Sequence, residues 1–431
     1  MREMIKKIFW NFPFVSRCDK EKVFFFIKNR MDPKRKIEND VIKLNEYRKQ
    51  IINTPTAKSK DYKKLSKKSY TREKEDIKLF AFYLPQMYPT PENDAWWGKG
   101  TTEWNNVCRA MPQFIGHYQP RMPGELGFYD LRIKENMERQ IELAELYGVY
   151  GFCFYYYWFD GKRLLDKPLD MFINNKKFQM PFCLCWCNES WTSAFVSGAS
   201  NKIVMKQNNS EESYKQFIRD IIPYFEDDRY YTIMDKKVLL VYRVQEMPSP
   251  QKVIDYWRGY CKEKLGIELY IIGCWRAEEP YNAQENGFDA CFEFQAASIL
   301  QYCKNINDKI NFSGDEFVGN VYSYKDLVDE KIYEKNFIKQ KLYNAIMPMW
   351  DNTPRRNNHN VTLFHNSSPA LYKRWLKDLI RFYKKRQDID DNIAFINSWN
   401  EWGEGSYIEP DKYFGYAYLN ATREAIEESR G

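Results

Sequence analysis

Glu401, Glu404 and Glu409 fall together in the segment Phe395-Ile-Asn-Ser-Trp-Asn-Glu-Trp-Gly-Glu-Gly-Ser-Tyr-Ile-Glu-Pro410, interleaved with Trp399, Trp402, Gly403 and Gly405. Carboxyls can move protons, indole faces can cover the apolar faces of pyranose rings, and glycines let backbone approach closely. Cleaving or forming a glycosidic bond usually needs two carboxyls in opposed roles, one as acid and one as base or nucleophile. Glu401 and Glu404, three residues apart in a glycine-containing loop, are the candidate catalytic pair. They can face one cavity at the about 5–5.5 Å spacing of retention or the about 6.5–9.5 Å of inversion. Glu409 precedes Pro410 and Asp411 and reads as a cap for the last helix.

Weaker constellations accompany this loop. Asn188-Glu189, between Trp186 and Trp191, is a second Asn-Glu pair suited to binding sugar hydroxyls. Arg355-Arg356 suits a phosphate or an acidic sugar, and equally a solvated loop. Asp388-Ile-Asp390 lies in a polar connector and reads as decoration. His117 and His365 lack partners at ligand spacing, so no metal and no cofactor is expected.

The elements that must position these residues are legible from Ile77 onward. Apolar runs of strand length occur at 79–84, 149–157, 181–187, 238–242, 269–273, 288–294, 345–350 and 393–398. Helical spacing appears at 133–147, 169–173, 214–225, 253–265, 324–332, 371–383 and 416–426, with a shorter stretch at 278–286. Apolar strands alternating with amphipathic helices indicate a parallel sheet covered by helices. Eight such units fit an α/β fold of the (β/α)8 TIM-barrel type, with extended loops on its C-terminal face. A doubly wound sheet would want a Gly-rich phosphate loop after the first strand, where Pro85-Gln-Met-Tyr-Pro-Thr-Pro91 stands instead.

Barrel sites form where strands end. The candidate substrate-binding residues are therefore Gln86, Trp97, Glu103 and Trp104 after the first strand, and Tyr155, Tyr157 and Trp158 on the second. Trp186, Asn188, Glu189 and Trp191 follow the third, Trp275 the fifth, Trp350 and Asp351 the seventh, and Asn400, Trp402 and Tyr407 the eighth. Arg243, Arg276 and Glu293 end the fourth, fifth and sixth strands. Aromatic residues make up 17% of the chain, and their concentration at strand ends favours a carbohydrate ligand over core packing alone.

The formal charge of +7 is unevenly spread. Residues 1–76 hold 22 Lys and Arg against 11 Asp and Glu, and residues 77–431 hold 44 against 48. The chain therefore divides into a basic N-terminal helical extension with a solvated linker, 1–76, and a glycan-active domain, 77–431. A protein-wide nucleic-acid footprint is not supported. Apolar pieces at 5–14 and 23–27 in that basic setting suit either an amphipathic segment on an anionic membrane or an arm packed on the barrel. Cys183, Cys185 and Cys187 alternate with Phe182, Leu184 and Trp186, so the thiols share one strand face and read as buried and reduced. That pattern and a poor secretory signal point to the cytoplasm, peripheral at the inner membrane face.

Five ordered pieces resemble the WbsX-type, glycoside hydrolase family 99-like proteins. They are Ala81-Phe-Tyr-Leu-Pro-Gln86, Trp97-Gly-Lys-Gly-Thr-Thr-Glu-Trp-Asn-Asn-Val107, Gln119-Pro-Arg-Met-Pro-Gly-Glu-Leu-Gly-Phe-Tyr-Asp130, Cys185-Trp-Cys-Asn-Glu-Ser-Trp191 and Ser398-Trp-Asn-Glu-Trp-Gly-Glu-Gly-Ser-Tyr-Ile-Glu-Pro410. The resemblance runs from about residue 77 to the C-terminus. It implies a barrel acting on glycans, with Glu401 the base on the sugar's own 2-hydroxyl and Glu404 the acid that later activates water. WbsX-type proteins are associated with surface-polysaccharide and O-antigen assembly. The expected substrate is thus an oligo- or polysaccharide, lipid-linked in an assembly role. A retaining endo-acting hydrolase of α-mannoside-like glycans and a non-catalytic glycan-binding barrel are the alternatives.

Overall fold

The computed structural model describes residues 33–193, 202–314, 317–336, 340–357 and 359–430. The basic pieces at 5–14 and 23–27 lie outside the described residues.

All eight expected strands are present: β1 (Lys78–Tyr83), β2 (Gly151–Phe159), β3 (Phe182–Trp186), β4 (Lys236–Val241), β5 (Leu269–Trp275), β6 (Ala290–Glu293), β7 (Leu342–Tyr343 and Ala345–Ile346) and β8 (Ile393–Ile396). They pair in parallel in the order 7-6-5-4-3-2-1-8-7, which closes a barrel. Closure falls at Asn344, which splits β7 in two. The first half pairs with β6 and the second with β8. The Ala345 N–H, turned away from the β6 backbone, donates instead to the Glu293 carboxyl at 3.0 Å.

Side chains alternate across each strand, so one face fills the barrel and the other meets the helices. Phe82 of β1 packs within the barrel against Tyr155, Phe292, Phe294 and Phe395, at centroid distances of 5.5, 5.8, 5.6 and 5.3 Å. Contact between strands not adjacent in the sheet requires these rings to point inward. Cys153, Cys183 and Cys185 share that inward face, and every cysteine among the described residues is a free thiol. Outward, Trp186 stacks on Phe217 with centroids 3.9 Å apart.

The outer helices follow the apolar spacing. In chain order the α-helices among the described residues are α1 (Pro33–Asn53), α2 (Pro91–Trp97), α3 (Glu103–Arg109), α4 (Lys134–Leu146), α5 (Lys167–Asn174), α6 (Glu211–Phe225), α7 (Pro250–Leu265), α8 (Tyr324–Asp329), α9 (Thr353–Arg356), α10 (Pro369–Tyr383) and α11 (Ala417–Glu427). The α6 helix opens on Ser210, whose hydroxyl accepts the Ser213 N–H, and buries Tyr214, Phe217, Ile218, Ile221 and Phe225 on one stripe. The α10 helix repeats the device with Ser368, and α7 stops at Gly266 in the left-handed region, φ +66°. Between β5 and β6 only a single helical turn, Gln284–Asn286, fills the expected slot.

The described part of the N-terminal extension lies on the barrel. The Tyr47 hydroxyl in α1 donates to the Pro112 carbonyl at 2.7 Å, and the Gln50 amide donates to the His117 carbonyl at 2.8 Å. Farther on, the Ser66 N–H donates to the Tyr147 hydroxyl, and Arg72 donates to the carbonyls of Ile77 and Gly148. No helix among the described residues is long and apolar enough to cross a membrane.

Candidate functional site

The loop after β8 is a small hairpin. Asn400–Glu401 pairs antiparallel with Ser406–Tyr407, a turn of 3-10 helix spans Trp402–Glu404, and Gly405 closes it at φ +55°. The Asn400 amide clamps the end of β1, accepting the Leu84 N–H at 2.7 Å and donating to its carbonyl at 2.9 Å. Trp402 stacks on Tyr407 with centroids 3.7 Å apart and donates its indole N–H to Glu409 at 2.6 Å. Glu409 also accepts from Tyr129 and Gln140, so it supports this hairpin from beneath and does not cap a helix. Burial raises the Glu409 carboxyl to about 7, against the opposing bonds from Trp402, Gln140 and Tyr129.

So supported, the hairpin turns Glu401 and Glu404 toward one guanidinium. Arg355 Nη2 lies 2.7 Å from Glu401 Oε2, and Nη1 lies 2.8 Å from Glu404 Oε1. Glu103, in the first turn of α3, binds the same group: its Oε1 is 2.8 Å from Nη2 and 3.2 Å from Nε. One arginine thus gathers three glutamates from two separate segments, Glu103 at the start of α3 and Glu401 and Glu404 on the β8 hairpin. Its loop is fixed by Asp351, whose Oδ1 accepts the Thr353 N–H at 3.0 Å at the start of α9. The other Asp351 oxygen accepts from Gln119 at 2.6 Å and contacts His117 Nε2 at 2.8 Å. Burial opposes ionisation of Asp351, but His117 and Arg121 outweigh it and hold the carboxyl well below its usual range.

Burial also dominates at Glu401. It pushes that carboxyl up, Arg355 pulls it down, and the like charges of Glu404 and Glu103 push it up again, to about 8. The Glu401 side chain is 6% exposed and that of Glu404 17%, so Glu404 is the more accessible of the pair.

These carboxyls line a cleft of about 260 Å³ at the C-terminal ends of the strands. Of the candidates read from the sequence, Gln86, Trp97, Glu103, Tyr155, Tyr157, Glu189, Trp191 and Trp350 line it with Glu401 and Glu404. The Tyr155 hydroxyl and the Trp350 indole N–H are buried in its wall and find no hydrogen-bond partner among the described residues.

The other expected binding residues lie elsewhere. Alternation sends Trp158 and Trp186 outward, where the Trp158 indole donates to Asp220 of α6 and Trp186 is fully buried. Trp275 shares its strand face with Gly273, which backs onto Tyr281, Val244 and Phe288 outside the barrel. Trp104 packs edge-on against Tyr129 and Phe128 behind Trp402. Asn188 joins β3 to β4 through both backbone groups of Arg243, at 2.8 and 2.7 Å. Asn400, Trp402 and Tyr407 form the hairpin's frame, and Asp351 anchors α9, so all four act on the site from behind. Each is a backbone clamp, a packed ring or a satisfied buried carboxylate with no free face toward the cleft.

Arg355 is neither the solvated loop residue nor the phosphate ligand that its sequence context suggested, because three carboxylates occupy its donors. Arg276 and Asn352, which the sequence places at the ends of the fifth and seventh strands, also line the cleft, as do Asn106, Tyr242 and Phe294, which were not among the expected site residues. Strand parity was the available signal for most of them. Tyr242, Cys274, Arg276 and Phe294 continue the inward-facing series of β4, β5 and β6.

Gly403 makes the assembly possible. A methyl group on its Cα would strike the Glu103 carboxylate, with Cδ 2.7 Å away, and crowd Arg355 Nε at 3.4 Å. Gly403→Ala is expected to lower stability by about 1–3 kcal/mol by overpacking and to reduce turnover by displacing Glu103. Thermal denaturation beside an activity assay checks this; an unchanged melting temperature contradicts it.

Comparisons with known proteins agree with this architecture. A family model described as Glycosyltransferase WbsX matches residues 79–422. The uncharacterized protein WxcX of Xanthomonas campestris pv. campestris strain B100 is 38% identical over 348 residues, 81% of this chain and 49% of its own length. WxcX of strain ATCC 33913 matches to the same extent. The chain spans about half the length of these curated relatives. Among solved structures, a glycoside hydrolase-like protein superposes with a TM-score of 0.55 at 14% identity, covering 85% of this chain and 98% of its own. A GH99 endo-alpha-mannosidase from Bacteroides thetaiotaomicron, in complex with bis-tris propane, gives 0.50 at 16% identity, covering 82% and 97%. At such identities the likeness shows the shared barrel fold.

Proposed function

The chain belongs to the WbsX glycosyltransferase family, and on that premise we propose that it makes or processes glycosidic bonds in bacterial surface polysaccharide such as O antigen or capsule. The observation that carries this reading is the Arg355-centred set of carboxyls in an aromatic-lined cleft. Glu401 is the base that takes a proton from a sugar hydroxyl. Glu404, the more accessible carboxyl, protonates the departing oxygen and then activates the incoming acceptor or water. A carboxyl raised toward the working pH exchanges protons efficiently, as general acid–base catalysis requires. Trp97, Trp191 and Tyr157 offer ring faces to pyranoses, and Tyr155 and Trp350 offer their unpaired polar atoms to sugar hydroxyls.

In this reading the glycan is carried on a lipid at the cytoplasmic membrane face. The excess of Lys and Arg in residues 1–76 supports peripheral contact with anionic headgroups.

The test is mass analysis of the host's lipid-linked glycan intermediates after incubation with the protein, using the Glu401→Gln/Glu404→Gln double variant as control. A mass change of whole sugar units that the double variant lacks is expected. Released sugar without an acceptor identifies a hydrolase. Glycan binding that survives the double substitution, with no mass change in any intermediate, leaves a binding barrel instead.

A further inference from the structure

The cleft has two unlike sides. Glu103, Glu401, Glu404 and Arg355 crowd the β1, β7 and β8 side. The opposite side is largely apolar, with Phe294, Ala296, Ala297 and Leu300, and carries Arg276 at the end of β5. Arg276 continues the inward series from Cys274, and its guanidinium lies over the Tyr242 ring, 4.8 Å from the centroid. Among the described residues no carboxylate forms an ion pair with Arg276, and its Nε is buried without a hydrogen-bond partner. Neighbouring Arg243 contrasts with it, lying 3.3 Å from Glu279 and 3.9 Å from Glu246.

A half-buried arginine held flat on a tyrosine in an apolar wall, with Glu189 and Glu279 acting on it only from beyond ion-pair contact, is poorly matched to a neutral ligand. An arginine fork suits a planar carboxylate or a phosphate. Glu189 shares this wall, and burial raises its carboxyl while Arg276 and Arg243 oppose.

We propose that Arg276 on its Tyr242 platform is an anion subsite, and that the glycan handled in this cleft carries an acidic group there, a carboxylate or a phosphate. The proposal rests on the cleft being the glycan site. It adds the substrate class: an acidic sugar, or a sugar held through phosphate as in a nucleotide or lipid diphosphate.

Calorimetric titration of the catalytically disabled Glu404→Gln protein tests it with three probes. These are a hexuronate-containing tetrasaccharide, its carboxyl-reduced neutral counterpart and inorganic pyrophosphate. An anionic probe is expected to bind about tenfold or more tighter than the neutral sugar, and the preference shrinks in high salt. Arg276→Met in the same background abolishes that preference while neutral-sugar affinity stays. Arg276→Lys, which keeps the charge and the packing stem, retains part of it and guards against a folding defect in the methionine variant. Preference for the hexuronate assigns the group as a carboxylate, and preference for pyrophosphate assigns it as phosphate. Equal binding of acidic and neutral sugars with no pyrophosphate binding, or an equal loss of all probes in Arg276→Met, overturns the anion subsite and leaves the glycan cleft standing. Binding of no sugar and no pyrophosphate overturns both.

Discussion

Arg355→Met should destabilise the fold by about 3–5 kcal/mol, the usual cost of removing one partner from a buried ionic cluster. Glu103 and Glu401 are 1% and 4% exposed, and Arg355 is the cation that pairs with both and with Glu404. Without it the three carboxyls face one another in a low-dielectric wall with no cation between them. Glu401, already raised by burial, loses the charge that opposes that rise, so its folded-state pKa climbs further above the unfolded range and the folded state binds more protons than the unfolded one. Stability in such a case is fullest at acid pH and is lost as pH rises through the folded values. The variant should therefore lose far more stability between pH 5 and pH 8 than the wild type, and turnover should fall with it. Urea unfolding at both pH values is the check. Arg355→Lys restores a charge without the fork and should fall between the two. A methionine variant as stable as the wild type at pH 8 would show that the glutamates do not depend on this arginine.

The second large effect belongs to the carboxyls themselves. Glu401→Gln and Glu404→Gln should each reduce turnover about 10²–10⁴-fold, the range for removing a general acid or base, with near-normal melting temperatures. Full activity in either variant removes the paired-carboxyl mechanism. The pH profile separates the roles. If Glu401 is the base, the rate rises as pH climbs through about 8, the range to which burial lifts its carboxyl. Glu103→Gln deletes one of the like charges that raise Glu401, so the same limb should move to lower pH and the variant should gain relative activity near neutrality. A profile without this limb, or one that Glu103→Gln leaves in place, takes Glu401 out of the proton-transfer step.

Much of this arrangement was legible in local pattern. Seven of the eight strands appear where apolar runs predict them, the seventh starts at Leu342, before its expected run at 345–350, and the Glu401/Glu404 loop leaves β8 on the face where barrel sites form. Which aromatic residues serve the cleft was less legible, because a tryptophan that packs and one that stacks on sugar have the same composition signal. Tyr155 and Tyr157 line the cleft, and Trp158 and Trp186 back onto α6. Side-chain alternation separates them once the inward face of a strand is fixed, and contact between Phe82 and the rings of distant strands fixes it.

By itself, then, the sequence determined the barrel, the site-bearing end and the catalytic pair as candidates, because periodicity and motif spacing are properties of neighbouring residues. Tertiary structure alone decided the charge environment of that pair. Arg355 is 252 residues from Glu103 and 46 from Glu401 along the chain. Only closure of the sheet brings α3, α9 and the β8 hairpin to one edge. At that edge burial and the like charges of Glu404 and Glu103, with Arg355 opposing them, raise the Glu401 carboxyl.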